Sequence, residues 1–250
     1  MASAPPAPDP TSDPAELAKF AELGRAWWDA TGPMAPLHKL NPIRVAYIRD
    51  RVCTRFGRDP RARAPLAGIT ALDVGCGGGL LAEPLTRLGA AVTGIDPLAA
   101  NTETAAWHAR EVDLEIAYEA TSVEAVAAAG RRFDLVVASE VVEHVPDVPA
   151  FLAAIAAVTR PGGLVILSTL SRTTASFLKA IVGAEYVLGW LPRGTHDWRR
   201  FLTPAELGSA LRVHGIRPLH VSGIGYDGSR DSFRLIRDPS VNYLMAAGRG

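Results

Sequence analysis

The stretch Leu72-Asp73-Val74-Gly75-Cys76-Gly77-Gly78-Gly79 decides the fold. The apolar run 69–74 reads as a strand, and 80–88 behind it as a helix. Glycines at such a turn let the backbone bend sharply and approach a ligand, with helix amides pointing at it. Outward from this turn, apolar runs at 91–95, 114–118, 133–139 and 164–169 alternate with helical patterns at 98–111, 122–129 and 148–159. Thr203, Pro204 and Glu206 start a further helix as cap, first residue and capping box, and it runs to about His214. Residues 217–221 and 241–247 are the last strand candidates. Alternation of this kind builds an α/β fold, a doubly wound, mostly parallel sheet. Its ligands sit beyond the carboxyl ends of the strands, so the loops after 74, 95, 118 and 139 line one site.

Composition narrows the classes. With 250 residues the chain has room for one such domain and an appendage, and 48% hydrophobic residues can fill its core. Lys+Arg and Asp+Glu are 26 each, so nothing suggests nucleic acid held by bulk charge. Cys53 and Cys76, far apart in sequence, suggest neither a disulfide framework nor a zinc site, and fit a reducing compartment. No apolar run reaches the length of a bilayer span. Residues 1–13 are proline-rich and lack Lys and Arg, which reads as a disordered tail rather than a targeting signal, in a cytosolic protein. Residues 14–64 read as a helical extension. Asp13, Pro14 and Glu16 open its first helix, which places Leu17, Phe20, Trp27 and Trp28 on one face. A second helix runs on from 37–44 to about Arg55. The domain proper then covers 65–250, with an apolar insertion at 172–200.

Asp96 ends the second strand, 21 residues after Gly75, where a carboxylate can accept both hydroxyls of an adenosine ribose. A dinucleotide site shares these features, but its G-x-G-x-x-G fingerprint needs glycine where Leu80 stands. Asp73 suits a ligand with an ammonium and a sulfonium, and repels a pyrophosphate. With Arg160-Pro161-Gly162-Gly163 before the fifth strand, these features resemble the class I, Rossmann-like methyltransferases that use S-adenosylmethionine.

Glu140, Glu143 and His144 follow the fourth strand in Ser-Glu-Val-Val-Glu-His. If the segment is helical, positions i, i+3 and i+4 share one face at the acceptor side. The trio reads equally as ligands of a divalent ion, as an acid/base pair, or as ordinary hydrogen-bonded residues. A phenol acceptor, with a pKa of about 10, costs on the order of 4 kcal/mol to ionise at pH 7. An ion binding two catechol oxygens would lower that cost. In the insertion, residues 177–191 are apolar at 11 of 15 positions, interrupted by Lys179 and Glu185. A core helix, a lid or an interfacial helix fits; we favour a combined lid and membrane-surface element flanked by Arg172, Arg193, Arg199 and Arg200. His196, on the same connection, is a second candidate base.

Further motifs point to one family. Trp27-Trp28-Asp29, Leu37-His38, Asn41-Pro42-Ile43-Arg44, the glycine loop, Glu140-x-x-Glu-His-Val-Pro146, Ser168-Thr169-Leu170 with Arg172, Gly183-Ala-Glu-Tyr186, Gly194-Thr-His-Asp197 and Val241-Asn-Tyr243 resemble the ubiquinone-biosynthesis O-methyltransferases of bacteria and mitochondria. The resemblance covers nearly the whole chain from residue 14. It implies methyl transfer from S-adenosylmethionine to a 2-polyprenyl-6-hydroxyphenol and to 3-demethylubiquinol. It implies donor contacts at Arg44, Gly75, Asp96 and Ser139, beside Asp73 and Gly77 of the glycine loop. Bacterial members often carry Met at the position of Ser139, so the contact implied there is through backbone. It also implies a divalent metal, magnesium by preference, on Glu140, Glu143 and His144, with Glu140 and His144 catalytic. A membrane contact falls on about 176–191, at the inner face of the cell membrane, and a biosynthetic complex is a further implied partner. Turnover of another apolar acceptor, or a non-catalytic lipid-binding role, are the competing expectations.

Overall fold

The computed structural model describes residue 13 and residues 24–177 and 197–250. The expected helix start after Asp13, the apolar stretch beyond Phe177, and His196 lie outside them.

Eight strands form one sheet in the order β3-β2-β1-β4-β5-β8-β6-β7. They are β1 (Thr70–Val74), β2 (Ala91–Asp96), β3 (Ala117–Ala120), β4 (Phe133–Ser139), β5 (Thr159–Leu170), β6 (Ile216–Asp227), β7 (Ser232–Ile236) and β8 (Asn242–Arg249). β1 to β5 are mutually parallel. β8 runs antiparallel to both β5 and β6, and β7 antiparallel to β6. The strand order reverses between β1 and β4, which share an edge from Ala71↔Leu135 to Val74↔Ala138. Crevices of this fold open at that point.

The helices are α1 (Ala35–Phe56), α2 (Ala82–Arg87), α3 (Ala99–Glu111), α4 (Val123–Ala128), α5 (Val148–Val158) and α6 (Pro204–Val213). Strand side chains alternate between two apolar layers, as a period of two requires. Leu72, Val74, Val136, Ala138, Val165 and Leu167 meet Phe151 and Leu152 of α5 and Leu207 and Leu211 of α6. Ala71, Leu135, Val137, Leu164 and Ile166 face Leu40, Tyr47, Ile48 and Val52 of α1 and Leu85 of α2. Asp73 and Ser139 fall on this second face by the same alternation, and α1 brings Arg44 to it. The N-terminal helix is thus part of the core, and it supplies a charge to the site.

Local signals explain most boundaries. Thr203 and Glu206 cap α6 reciprocally, as the sequence predicts, with Thr203 N donating to Glu206 Oε2 at 2.9 Å and Glu206 N donating to Thr203 Oγ1 at 3.3 Å. β3 begins later than expected. Asp113 takes a φ of +53° after α3, and Leu114 N bonds back to Ala109 O, so 112–114 close off the helix and the strand opens only at Ala117. The sequence reading missed β7. Its side chains are half-buried or exposed, so it carries no apolar run. Among the described residues no helix is long and apolar enough to cross a membrane.

Candidate active site

The loop after β1 turns back on β2, with Gly75 N and Cys76 N both donating to Ile95 O at 2.8 and 2.9 Å. Glycine is required at two positions. Gly75 has a φ of +70°, and a Cβ there would stand 2.6 Å from Val141 Cγ2. Gly77 has a φ of +52°, and its Cβ would stand 2.5 Å from the Trp27 ring. Leucine at position 80 adds to the first buried turn rather than to a phosphate cradle.

Asp96, at the end of β2, accepts from Gly77 N at 3.0 Å, Leu98 N at 2.9 Å and Asn101 Nδ2 at 3.2 Å. Burial raises its pKa above the ordinary carboxylate value, against these three bonds. Asp73, at the end of β1, is 2% exposed. Its Oδ2 is buried with no hydrogen-bond partner among the described residues. Burial pushes its pKa up to about 7, opposed by Arg44 and reinforced by Asp96. An unmet buried acid facing a glycine loop is a socket for a cationic group.

The segment after β4 is a single turn, closed by His144 N on Val141 O at 2.9 Å, and not a helix that would set the three residues on one face. The reason lies at its first residue. Glu140 takes a φ of +57°, and its N–H donates to Ser168 O at 2.9 Å, so the chain leaves the sheet through a left-handed residue. Such a conformation costs about 1–3 kcal/mol and persists where the surroundings enforce it. Glu140 Oε1 lies 3.2 Å from Arg44 Nη2 and accepts from Ser168 Oγ at 2.8 Å. Ser168 has one proton to give, so Ser139 Oγ donates to Ser168 Oγ across their 2.7 Å. Glu143 turns inward, where Thr169 Oγ1 donates to its Oε2 at 2.9 Å and its Oε1 has no hydrogen-bond partner among the described residues. Burial, then the Glu140 charge, raises the Glu143 pKa well above the carboxylate range.

The structure therefore brings buried Arg44, Asp73 and Glu143 and half-buried Glu140 together as one charge cluster. Gly75, Gly77, Asp96 and Ser139 line the same strand ends. His144 is half-buried on the turn. The expected ion site is not assembled: among the described residues, no three His, Cys, Asp or Glu side chains are placed to hold a metal. As they stand, Glu140, Glu143 and His144 do not fit a divalent ion. A guanidinium already meets the Glu140 charge, and without a helix the three do not share a face. Sequence reasoning missed Asn101, five residues past Asp96, which reaches its carboxylate from the first turn of α3. It noted the Trp27-Trp28 pair without placing it on the glycine loop.

A family model described as a methyltransferase domain matches residues 45–221. The chain is 51% identical over 240 residues to the ubiquinone biosynthesis O-methyltransferase of Methylobacterium nodulans, covering 96% of each. It is 50% identical over 242 residues to the protein of that name from Methylocella silvestris, covering 95% of this chain and 94% of that one. Among solved structures it is similar to the magnesium protoporphyrin IX methyltransferase of Synechocystis PCC 6803 with bound SAH. There the TM-score is 0.63 at 20% identity, over 95% of this chain and 100% of the other. A possible histamine N-methyltransferase of Thermotoga maritima gives a TM-score of 0.58 at 15% identity, over 94% and 99%. At these identities the structural likeness concerns the fold alone.

Proposed function

The chain belongs to the ubiquinone biosynthesis O-methyltransferase family, and from that premise we propose that it methylates a ring hydroxyl of polyprenylated catechols. S-adenosylmethionine is the donor; 2-polyprenyl-6-hydroxyphenol and 3-demethylubiquinol are the acceptors. The observation that carries the reading is the unmet Asp73 carboxylate beside the glycine loop and Asp96.

Each donor group has a counterpart in the cluster. Asp96 accepts the ribose hydroxyls. Asp73 takes the ammonium, and Arg44, whose buried Nε lacks a hydrogen-bond partner among the described residues, takes the α-carboxylate. Gly75 and Gly77 let the loop approach the donor, and Ser139 contributes backbone, its hydroxyl being given to Ser168. Methyl transfer is an in-line displacement at carbon, in which alignment can supply about 7–11 kcal/mol. The acceptor must also lose its phenolic proton. We assign Glu140 and His144 to the acceptor side. An imidazole titrates in the working pH range and can receive that proton. Glu140, held by Ser168, orients the hydroxyl.

No step is assigned to a divalent ion. A magnesium ion, when bound, would lower the pKa of a coordinated hydroxyl. For Glu140, Glu143 and His144 to hold one, Arg44 must first release Glu140, and the donor carboxylate is the anion able to draw it away. Magnesium binding is then expected only with donor present, which titration calorimetry with and without S-adenosylmethionine measures. The membrane reading rests on the apolar composition of 177–191, which suits a prenyl tail and a leaflet surface at the inner face of the cell membrane. A partner complex is part of the same proposal.

The deciding assay uses pure protein, labelled S-adenosylmethionine and a prenylated catechol, with magnesium or chelator. Label in the catechol ether is expected. Its absence with metal present sinks the assignment, and equal turnover of an acceptor lacking vicinal hydroxyls would transfer it to another apolar substrate.

A further inference from the structure

The Trp27-Trp28 pair is bonded into the donor loop. Trp27, buried, donates Nε1–H to Asn101 Oδ1 at 3.0 Å. Asn101, 3% exposed, donates Nδ2–H to Asp96 Oδ1 at 3.2 Å. The other Asp96 oxygen accepts from Gly77 N. The Trp27 ring closes the path by lying against Gly77 and Gly78, where a Cβ would come within 2.5 Å of a ring atom at each. Trp28 donates Nε1–H to Gly78 O at 2.9 Å, and its ring stacks on His108 with 3.4 Å between centroids. Glu83 holds that imidazole at 2.6 Å.

The chain of bonds has a direction. An indole can only donate, so it fixes the oxygen of the Asn101 amide toward itself and the NH₂ toward Asp96. Without that donor, the amide is held only through its NH₂ on Asp96, and its oxygen end is free to swing. Asp96 would then be met by a looser third donor and lose part of the restraint on its rotation. A carboxylate that must meet two vicinal hydroxyls at once depends on that restraint.

We infer that Trp27 is a positioning residue for donor binding, acting through Asn101 on Asp96. The segment before α1 is therefore one wall of the donor site and not a separate appendage. The inference rests on the reading of Asp96 as the ribose acceptor.

The test compares intact enzyme with Trp27→Phe, Asn101→Ala, the two combined, and Asp96→Asn. Affinity for S-adenosylmethionine is read by calorimetry, the donor KM and kcat by turnover, and folding by thermal melting. Phenylalanine keeps a ring on the glycines and removes the N–H. Trp27→Phe should weaken donor binding about 3- to 10-fold, the worth of one buried hydrogen bond, and raise the donor KM by more than it lowers kcat. The double variant should bind no more weakly than Asn101→Ala, because both act through one carboxylate. Native donor affinity in a folded Trp27→Phe, or multiplying effects in the double variant, overturns the inference. If Asp96→Asn weakens binding while Trp27→Phe does not, the inference alone falls. If Asp96→Asn also binds normally, the ribose reading falls with it. Should Trp27→Phe fail to fold, Asn101→Ala decides: native donor affinity in that variant overturns the inference, and several-fold weaker binding supports it.

Discussion

Binding of S-adenosylmethionine should release protons, and Asp73 should be their main source. Before the donor arrives, burial holds this carboxyl at a pKa of about 7. Pairing with an ammonium returns it to the ordinary carboxylate range. At pH 6.5 roughly three-quarters of a proton then leaves per donor bound, from the fraction protonated at that pH. By the same linkage, donor affinity should rise about fivefold between pH 6 and pH 7. The donor's own amino group loses its proton near 7.7–8.0, so the window closes above about pH 7.5. Titration calorimetry in two buffers of different ionisation enthalpy counts the protons directly. Glu143, also raised, lies in the same cluster, so Asp73→Asn provides the comparison and should remove most of the release. Proton uptake on binding, or equal release from Asp73→Asn, would refute the assignment of the socket.

Three further outcomes follow from the geometry. Without donor, the folded protein keeps the Asp73 proton up to about pH 7, while the unfolded chain loses it near 3.9. Stability should therefore fall as pH rises through that interval, and melting with saturating donor should flatten the fall. Gly77→Ala should abolish donor binding, because the φ of +52° and the Trp27 ring both oppose a Cβ; near-native affinity by calorimetry would contradict this. Thr203→Ala should cost about 0.5–2 kcal/mol in chemical denaturation, through loss of the two bonds of the Thr203 hydroxyl to Glu206.

Much of this was legible in the sequence because it is local. The strand–turn–helix at Asp73–Gly79, the capping box at Thr203 and the position of Asp96 each follow from spacing along a few residues. Contacts between distant segments have no such signature. Trp27 and Asn101 are 74 residues apart, and nothing in their neighbourhoods announces the bond. The turn at Glu140–His144 stayed open in the sequence for a related reason. Its residues suit a helix, but Ser168 of the neighbouring strand captures the Glu140 N–H and forces the left-handed exit. That single residue decides where both glutamates point, and so whether three donors meet. The edge strand β7 was invisible because only one side of it is covered.

The place of β8 has a consequence for synthesis. It is the last strand in sequence, yet it sits between β5 and β6. Until residues 242–249 have been made, Leu164 to Leu170 present an apolar ribbon with one flank open. β6 and β7 can zip into a hairpin meanwhile, but without β8 no strand joins them to the sheet. An emerging polypeptide in that condition is adhesive to others like it. Premature termination before Asn242 would thus yield an aggregating fragment in place of a weakened catalyst.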